Sequence, residues 1–494
     1  MTSGRPAADG AHGHRLAFWV VAVLASTLHW IPHFPPQIDL AQHAGQIRFL
    51  HDWNSPAFAY RDLLALNFFT PYLPAYLLGA LLSLVMPVVV AVKVLWTLGA
   101  AGTIYAAVRL RRALGGSEAL DWLILPGLFG TTFEWGLLTF QFAVPFGLLS
   151  VEYWVRHLRS PQSRSGVLMA VALILLFFAH VLLTAWVMSV CALMLLADCR
   201  SRRASVSTCA RRMLPLVSPL PIVVIWVAAT RTIEQTNGAP VFRWSTRYLD
   251  FLPQWLGVSD RTFLVCVVGA VAATMALQGV RFLRDPISLA PLVATMLILL
   301  VAPDYLYGNA FTYNRFFTLL GPALACALTI ERSRRPVNRY AGLVLPATAC
   351  VWVLGLTIRM IQFAGEQQDF VRLVRDMEPN RRTLGMVMDP VSRVFNYPYA
   401  HFPAWYQAEH GGMVEPSFAS YLPMIVRFRE RDFESVRFRF VLAPDLAAVR
   451  HLENFDYVII RGRDMARPST GSFALTLTAN EGRWWLFSRT APAP

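Results

Sequence analysis

The residues of this chain best suited to chemistry are Asp39 and Glu134. A carboxylate within hydrogen-bond reach of an acceptor hydroxyl can take its proton. A second acid can orient the first, hold the acceptor or share a divalent cation with it. Asp39 stands in PPQIDLAQHAGQIRFLHDW, residues 35–53. After the two prolines the pattern becomes helical. Asp39 and His43, four residues apart, share a helix face with Gln46 close by. Leu40, Ala44 and Ile47 form the adjoining apolar stripe, so the stretch reads as a short amphipathic helix lying along a membrane, with Asp39 and His43 on its wetter side. Asp39 with Gln42 three residues later also fits an N-cap with a capping box, a structural role that stays open at this point. Glu134 lies in GTTFEWGLLTF, between two apolar runs with almost no loop. Its structural alternative is a carboxylate reaching out to the interface.

Other side chains belong to the same search. His43 and His180 could join Asp39 or Glu134 as ligands of a divalent metal. No HxxxH or HExxH spacing is present, so such a site would be assembled from distant segments, and a packing imidazole is the alternative. Arg315, in DYLYGNAFTYNRFF, has Asp304, Tyr305, Tyr307 and Tyr313 nearby. Its planar fork can hold a phosphate; pairing with Asp304 or with a carbonyl is the alternative. The candidate binding set is thus His43, His180, Arg315, Tyr313 and Asp304. Arg243 and Arg247 offer the same fork, although the Trp and Tyr beside them read as an aromatic belt. Further on, Asp389, His401, His410 and Gly411–Gly412 suggest a second site, but no nucleophile in a GxSxG context accompanies them. No P-loop and no GxGxxG occurs, which argues against an ATP-driven pump or a nucleotide-cofactor enzyme.

Composition says what must position these residues. The chain has 494 residues, 55% hydrophobic and only 15% charged. A soluble protein carries roughly 25% charged residues, so this is a polytopic membrane protein. The formal net charge of +14 comes from arginine, clustered between apolar spans in the positive-inside pattern rather than as a nucleic-acid surface. Six cysteines lie in or next to spans with no CxxC and no pairing signal. Residues 1–14 read as a polar, disordered cytoplasmic segment, followed by an uncleaved first span.

Eleven spans are expected, near 15–34, 88–109, 119–133, 137–156, 166–179, 181–198, 213–231, 262–281, 287–302, 316–331 and 340–361. The apolar but brief segment 71–86, bracketed by prolines, reads as a juxtamembrane or re-entrant hairpin, with a twelfth span as the alternative. With it outside the count, the clusters at Arg109–Arg112, Arg156–Arg164, Arg200–Arg212, Arg281–Arg284 and Arg332–Arg339 fall on one side, the cytoplasm. The first outer loop is then 35–87. Asp39, His43, Asp52, Glu134, His180, Glu234, Asp250, Asp260, Asp304 and Arg315 gather at the outer face, where ionisable groups near a bilayer line water-filled cavities. Residues 362–494 read as an extracytoplasmic α/β domain. An amphipathic helix is expected over 366–379 and helices over 420–427 and 446–452. Strands are expected at 383–388, 440–442, 457–460, 473–477 and 484–487, the last two forming a hairpin across ANEGR.

This organisation resembles the GT-C superfamily of membrane glycosyltransferases, among them the protein O-mannosyltransferases and lipid A aminoarabinose transferases. The resemblance rests on the early Asp in PQIDLAQHAGQIRFL, on NFFTPYLPAYLLGALL before the next span, on closely spaced later spans, and on an outer α/β tail ending in EGRWWLFSR. It implies a fold of about eleven helices in the bacterial cytoplasmic membrane. It also implies transfer of a sugar, with inversion, from a polyprenyl-phosphate donor to a lipid, glycan or protein hydroxyl. The general base matches Asp39 and a second outer-loop acid matches Glu134. Members often carry Asp-Glu or Asp-Asp in the first loop; here Leu40 follows Asp39, so a divalent metal stays an open partner. A non-catalytic transporter or scaffold for lipid-linked sugars is the alternative class; paired halves with broken helices would mark a transporter, and no such symmetry is visible.

Overall fold

Apolar runs become helices over most of this chain. The computed structural model describes residues 6–231, 240–306, 309–330, 341–421, 423–430, 449, 451–462 and 475–489. The expected strand at 440–442, four of the seven residues of the helix expected at 446–452, Glu234 and Tyr307 lie outside them. Residues 1–28, 97–133 and 139–357 form one compact unit, and residues 29–96, 134–138 and 358–494 form another.

The first unit is helical. Its first helix begins at Pro6, inside the stretch read as disordered, and runs to Thr27. Pro286–Val301 packs against both Val181–Ser201 and Phe317–Ala327. Trp186 donates its indole N–H to Thr295 Oγ1 at 3.0 Å, and Trp154 donates to the Cys191 carbonyl at 3.0 Å. A buried ion pair, Arg111–Asp121 at 2.7 Å, closes the end of the long Val88–Leu114 helix. Cys199 and Cys209 form a disulfide that sequence spacing did not signal; the turn between Val181–Ser201 and Val206–Val217 brings their Cα atoms to 6.3 Å.

Several expected spans take other forms. Residues 119–133 fold as short 3-10 turns, Glu118–Ile124 and Pro126–Phe129, and a one-turn helix, Thr131–Trp135. Pro126 lacks the N–H a continuing helix needs. Gly130 lies so close to Gln254 and Trp255 that a Cβ would fall within 2.4 Å of both carbonyl oxygens. The span expected at 213–231 is broken: Val206–Val217 and Leu220–Thr230 meet at a 47° bend, where Pro219 and Pro221 interrupt the hydrogen-bond ladder. The span expected at 316–331 ends as an eleven-residue helix, Phe317–Ala327, and its chain continues into a strand, Leu328–Ile330, paired with Val280–Phe282. Among the described residues three helices are long and apolar enough to cross a membrane, four if the bent pair is one span. The segment 71–86 contains a shorter helix, Leu73–Ser83, below that length.

Among the described residues the second unit is organised on a five-stranded sheet in the order Leu475–Glu481, Trp484–Arg489, Tyr457–Arg461, Arg382–Val387, Met413–Glu415. The first two strands form the expected hairpin, turned at Gly482 with φ +57°. Arg382–Val387 is parallel to both its neighbours and buried along its whole length, as a central parallel strand requires. Leu384, Met386, Val458, Ile460, Phe455, Leu452 and Phe487 form its core. The expected amphipathic helix is Gln368–Arg375, packed on the hairpin strands. The helix expected at 420–427 is absent; Val426–Phe428 is a strand paired antiparallel with Leu64–Leu66. The Leu40–Asp52 helix packs against Ala404–His410 and Leu73–Ser83 within this unit.

Candidate active site

The Leu40–Asp52 helix is buried along most of its length, unlike the interfacial amphipathic helix expected from its periodicity. Its polar residues explain the difference. Gln42 donates to the Pro416 carbonyl at 2.8 Å and accepts from the Phe418 N–H at 3.0 Å. Gln46 accepts from the Val426 N–H at 3.0 Å. Gln407 donates to the Gly45 carbonyl at 3.0 Å and accepts from the Val414 N–H at 3.1 Å. Side-chain amides thus satisfy the buried main chain of residues 414–426, a requirement rather than an ornament in a dry interior.

Asp39 stands at the start of this helix. Its backbone is helical (φ −85°, ψ −9°) and its side chain makes no capping hydrogen bond, so the capping box is not formed. Instead its Oδ1 lies 3.0 Å from His401 Nδ1, and both side chains keep 14% of their surface exposed. Position is set by main-chain bonds: Ile38 and Asp39 donate their N–H groups to the carbonyls of Glu134 at 3.0 Å and Trp135 at 2.8 Å. Gly136 makes that approach possible. Its φ is +67°, and a Cβ there would come within 2.9 Å of Gln37 Cβ and the Leu40 nitrogen. The two carboxylates singled out from the sequence therefore sit on segments clamped together by hydrogen bonds.

The surroundings of the two acids differ. Burial raises the Glu134 carboxyl above its ordinary value, partly offset by the Arg359 guanidinium. His43 is buried and its Nδ1 lies 2.6 Å from Tyr76 Oη, which also reaches Met424 Sδ at 3.3 Å. Burial raises the Tyr76 phenol well above its ordinary value, with Tyr72 and Asp39 adding to it, so Tyr76 keeps its proton. Phe418 meets the His43 ring edge-on at 5.4 Å and the His401 ring edge-on at 5.9 Å. His43 thus lies against a phenol, and Asp39 against an imidazole. Among the described residues no cluster of three His, Cys, Asp or Glu side chains is arranged to hold a metal ion. Asp39, Glu134 and His43 are not gathered into one such cluster.

His401 and Tyr76 are the members that local reading missed as parts of this site. His401 stood in the tail among residues set aside for want of a nucleophile motif, and Tyr76 in an apolar run. Neither spacing points to Asp39, because each contact is made only by the fold.

The remaining candidates lie in the helical unit and are described there alone. Arg315 is buried, with Nη1 3.2 Å from His180 Nε2 and with Nη2 and Nε donating to the carbonyls of Ala310 (3.1 Å) and Phe311 (3.3 Å). His180 is fully buried between Ser163–Ala179 and Val181–Ser201, its ring 5.0 Å edge-on from Phe140. Thr132 donates to the Arg315 carbonyl at 3.0 Å. Asp304 Oδ2 accepts from the Arg243 N–H at 2.8 Å and from Arg247 at 3.2 Å. The Arg247 guanidinium also stacks 4.0 Å over the Tyr313 ring. Two groups result: Arg315 with His180, and Arg247 with Asp304 and Tyr313. The second is better placed to hold the backbone of 300–304 than to meet a substrate, since Arg247 also donates to the Leu300 and Ala302 carbonyls.

A mostly helical chain with several apolar helices, an early Asp helix and a five-stranded tail sheet that packs in the same unit has a GT-C-like fold. The crystal structure of ArnT from Cupriavidus metallidurans bound to undecaprenyl phosphate is similar, with a TM-score of 0.53 over 96% of this chain and 98% of that one, at 11% sequence identity. No protein-family model and no curated protein matches the sequence.

Proposed function

We propose that this chain is an inverting membrane glycosyltransferase that moves a sugar from a polyprenyl-phosphate donor to a hydroxyl of a lipid, glycan or protein at the outer face of the cytoplasmic membrane. On this reading the apolar helices of 15–361 are the membrane part and 362–494 is extracytoplasmic. The observation that carries the reading is Asp39, held 3.0 Å from His401 with part of its carboxylate exposed, on a segment bonded to that of Glu134. The GT-C-like fold and a structural neighbour solved with undecaprenyl phosphate support the donor class.

Asp39 takes the proton of the acceptor hydroxyl as that oxygen bonds to the anomeric carbon from the face opposite the donor phosphate. The bond from that carbon to the phosphate oxygen breaks, and the polyprenyl phosphate departs with the electron pair. His401 is a positioning residue: it aims the Asp39 carboxylate and steadies its charge. Glu134, kept protonated more readily by burial, donates a hydrogen bond to the acceptor. His43, fixed by Tyr76, shapes the wall beside it. Arg315, in the helical unit, is steadied by His180 and two carbonyls, and its guanidinium fork has the chemistry to hold a phosphate.

Transfer of radiolabelled sugar from polyprenyl phosphate, measured in membranes, tests the assignment. Asp39→Asn is expected to abolish transfer with insertion and melting unchanged. Normal transfer by that variant removes Asp39 from the chemistry.

A further inference from the structure

The tail unit holds a cavity that the proposed transfer chemistry does not use. Its volume is about 260 Å³, and Glu366, Asp389, Ser392, Arg461, Arg483 and Trp484 line it. Arg461 is the floor. Its guanidinium lies 3.9 Å over the Tyr399 ring and 5.6 Å from that of Trp484, and its side chain is 3% exposed. It donates to the carbonyls of Asp389 and Val391 and sits 3.4 Å from Asp389 Oδ2 and 3.9 Å from Glu366 Oε1. Its Nε is buried with no hydrogen-bond partner among the described residues. A buried donor without an acceptor is an uncommon feature in a folded interior, and here it belongs to a residue lining a cavity.

The rim is polar. Asp389 takes a hydrogen bond from Arg483 at 2.5 Å, while the rest of the Arg483 side chain is half exposed. Glu366 accepts from the Ser392 hydroxyl at 2.8 Å and the Arg393 N–H at 3.1 Å. The acids around the cavity are Glu366, Asp369 and Asp389, and the bases are Arg393, Arg461 and Arg483. Their formal charges cancel, so neither a free phosphate nor an ammonium is favoured on charge. What remains is a dense set of donors and acceptors over an aromatic and guanidinium floor. That chemistry suits hydroxyls on a compact ring. The volume sits just below the ~300 Å³ at which drug-sized pockets begin, which suits one sugar ring.

We propose that this cavity binds a neutral saccharide unit. Naming that unit as part of the glycosyl acceptor rests on the transferase reading; the binding itself does not.

The test uses the full chain in lipid nanodiscs and saturation-transfer NMR. The probes are methyl α-mannoside, methyl β-galactoside and N-acetylglucosamine, with glucose 6-phosphate and glucosamine as charged controls. At least one neutral probe is expected to bind saturably and more tightly than both controls. Val391→Trp fills the cavity from an exposed position, and Arg483→Gln removes a rim donor; each is expected to weaken binding at least tenfold with melting unchanged. Asp39→Asn should bind like the parent while losing transfer. The inference is overturned if no neutral probe binds, if a charged control binds best, or if Val391→Trp binds as well as the parent. Loss of binding in Val391→Trp alongside full transfer to the natural acceptor would overturn the acceptor identity. Retained transfer in Asp39→Asn alongside lost binding in Val391→Trp would sink the transferase mechanism and leave the sugar site standing.

Discussion

Two carboxylates of the tail-bearing unit sit under very different rules. Glu415 is fully buried and accepts twice from Arg382, at 3.0 and 2.6 Å, with that guanidinium 4.8 Å over the Phe455 ring. Held by that fork and with no exposed edge, Glu415 stays paired and out of reach of a substrate. Asp39 instead lies 3.0 Å from the His401 imidazole, and it retains an exposed edge. The same functional group is a strut in one place and a candidate base in the other. The partner and the open edge make the difference; burial alone does not.

The largest effect that would sharpen this contrast is on transfer. Asp39→Asn should lower it by roughly 10²- to 10⁴-fold, the range of a lost general base, while melting in detergent stays put. Glu415→Ala should do the reverse. Leaving Arg382 buried without its partner should cost about 3–5 kcal/mol of stability, read as a fall in melting temperature, with transfer per folded molecule near normal. If Glu415→Ala instead kills transfer at unchanged stability, the contrast is broken.

Smaller effects follow. His401→Gln should reduce transfer about tenfold, the order of one lost polar contact to a charged group, by lowering kcat with KM unchanged. A purely structural His401 would instead lower the melting temperature and leave kcat per folded molecule unchanged. The smallest expected effect is at Glu134. Burial raises its folded-state value above the unfolded one. Its contribution to stability is therefore fully present below the ordinary carboxylate range and is lost as pH rises through the raised value. Glu134→Gln, which never ionises, should melt slightly higher than the parent at pH 8 and equally at pH 4. A lower melting point for the variant at pH 8 would contradict the burial account.

Much of this was legible in the chain. Asp39 and Glu134 stood out because acids are costly beside apolar runs, and the segments that carry them do meet. The strands expected at 383–388, 457–460 and 484–487, and the described part of that at 473–477, form one sheet. The Asp39 helix was misread for a physical reason. Gln42, His43 and Gln46 look like a wet face, yet their partners are main-chain groups of 416–426 and the Tyr76 phenol. Local periodicity cannot tell water from a remote amide. The stretch 119–133 has the hydropathy of a span, but Pro126 and the tight approach at Gly130 override it. The strand at 426–428 depends on Leu64–Leu66, a pairing that residues 420–427 alone do not encode.

The bonds linking Gln42 and Gln46 to Pro416, Phe418 and Val426, and the approach of His401 to Asp39, impose an order on assembly. While the middle of the chain is being made, residues 35–52 already exist but these partners do not. Asp39 therefore has no imidazole beside it, and the helix behind it has no cover, until residues 401–426 have followed. A chain ending before residue 401 would carry Asp39 in an unassembled corner. A C-terminal truncation should accordingly behave as a null, however faithfully its helices insert.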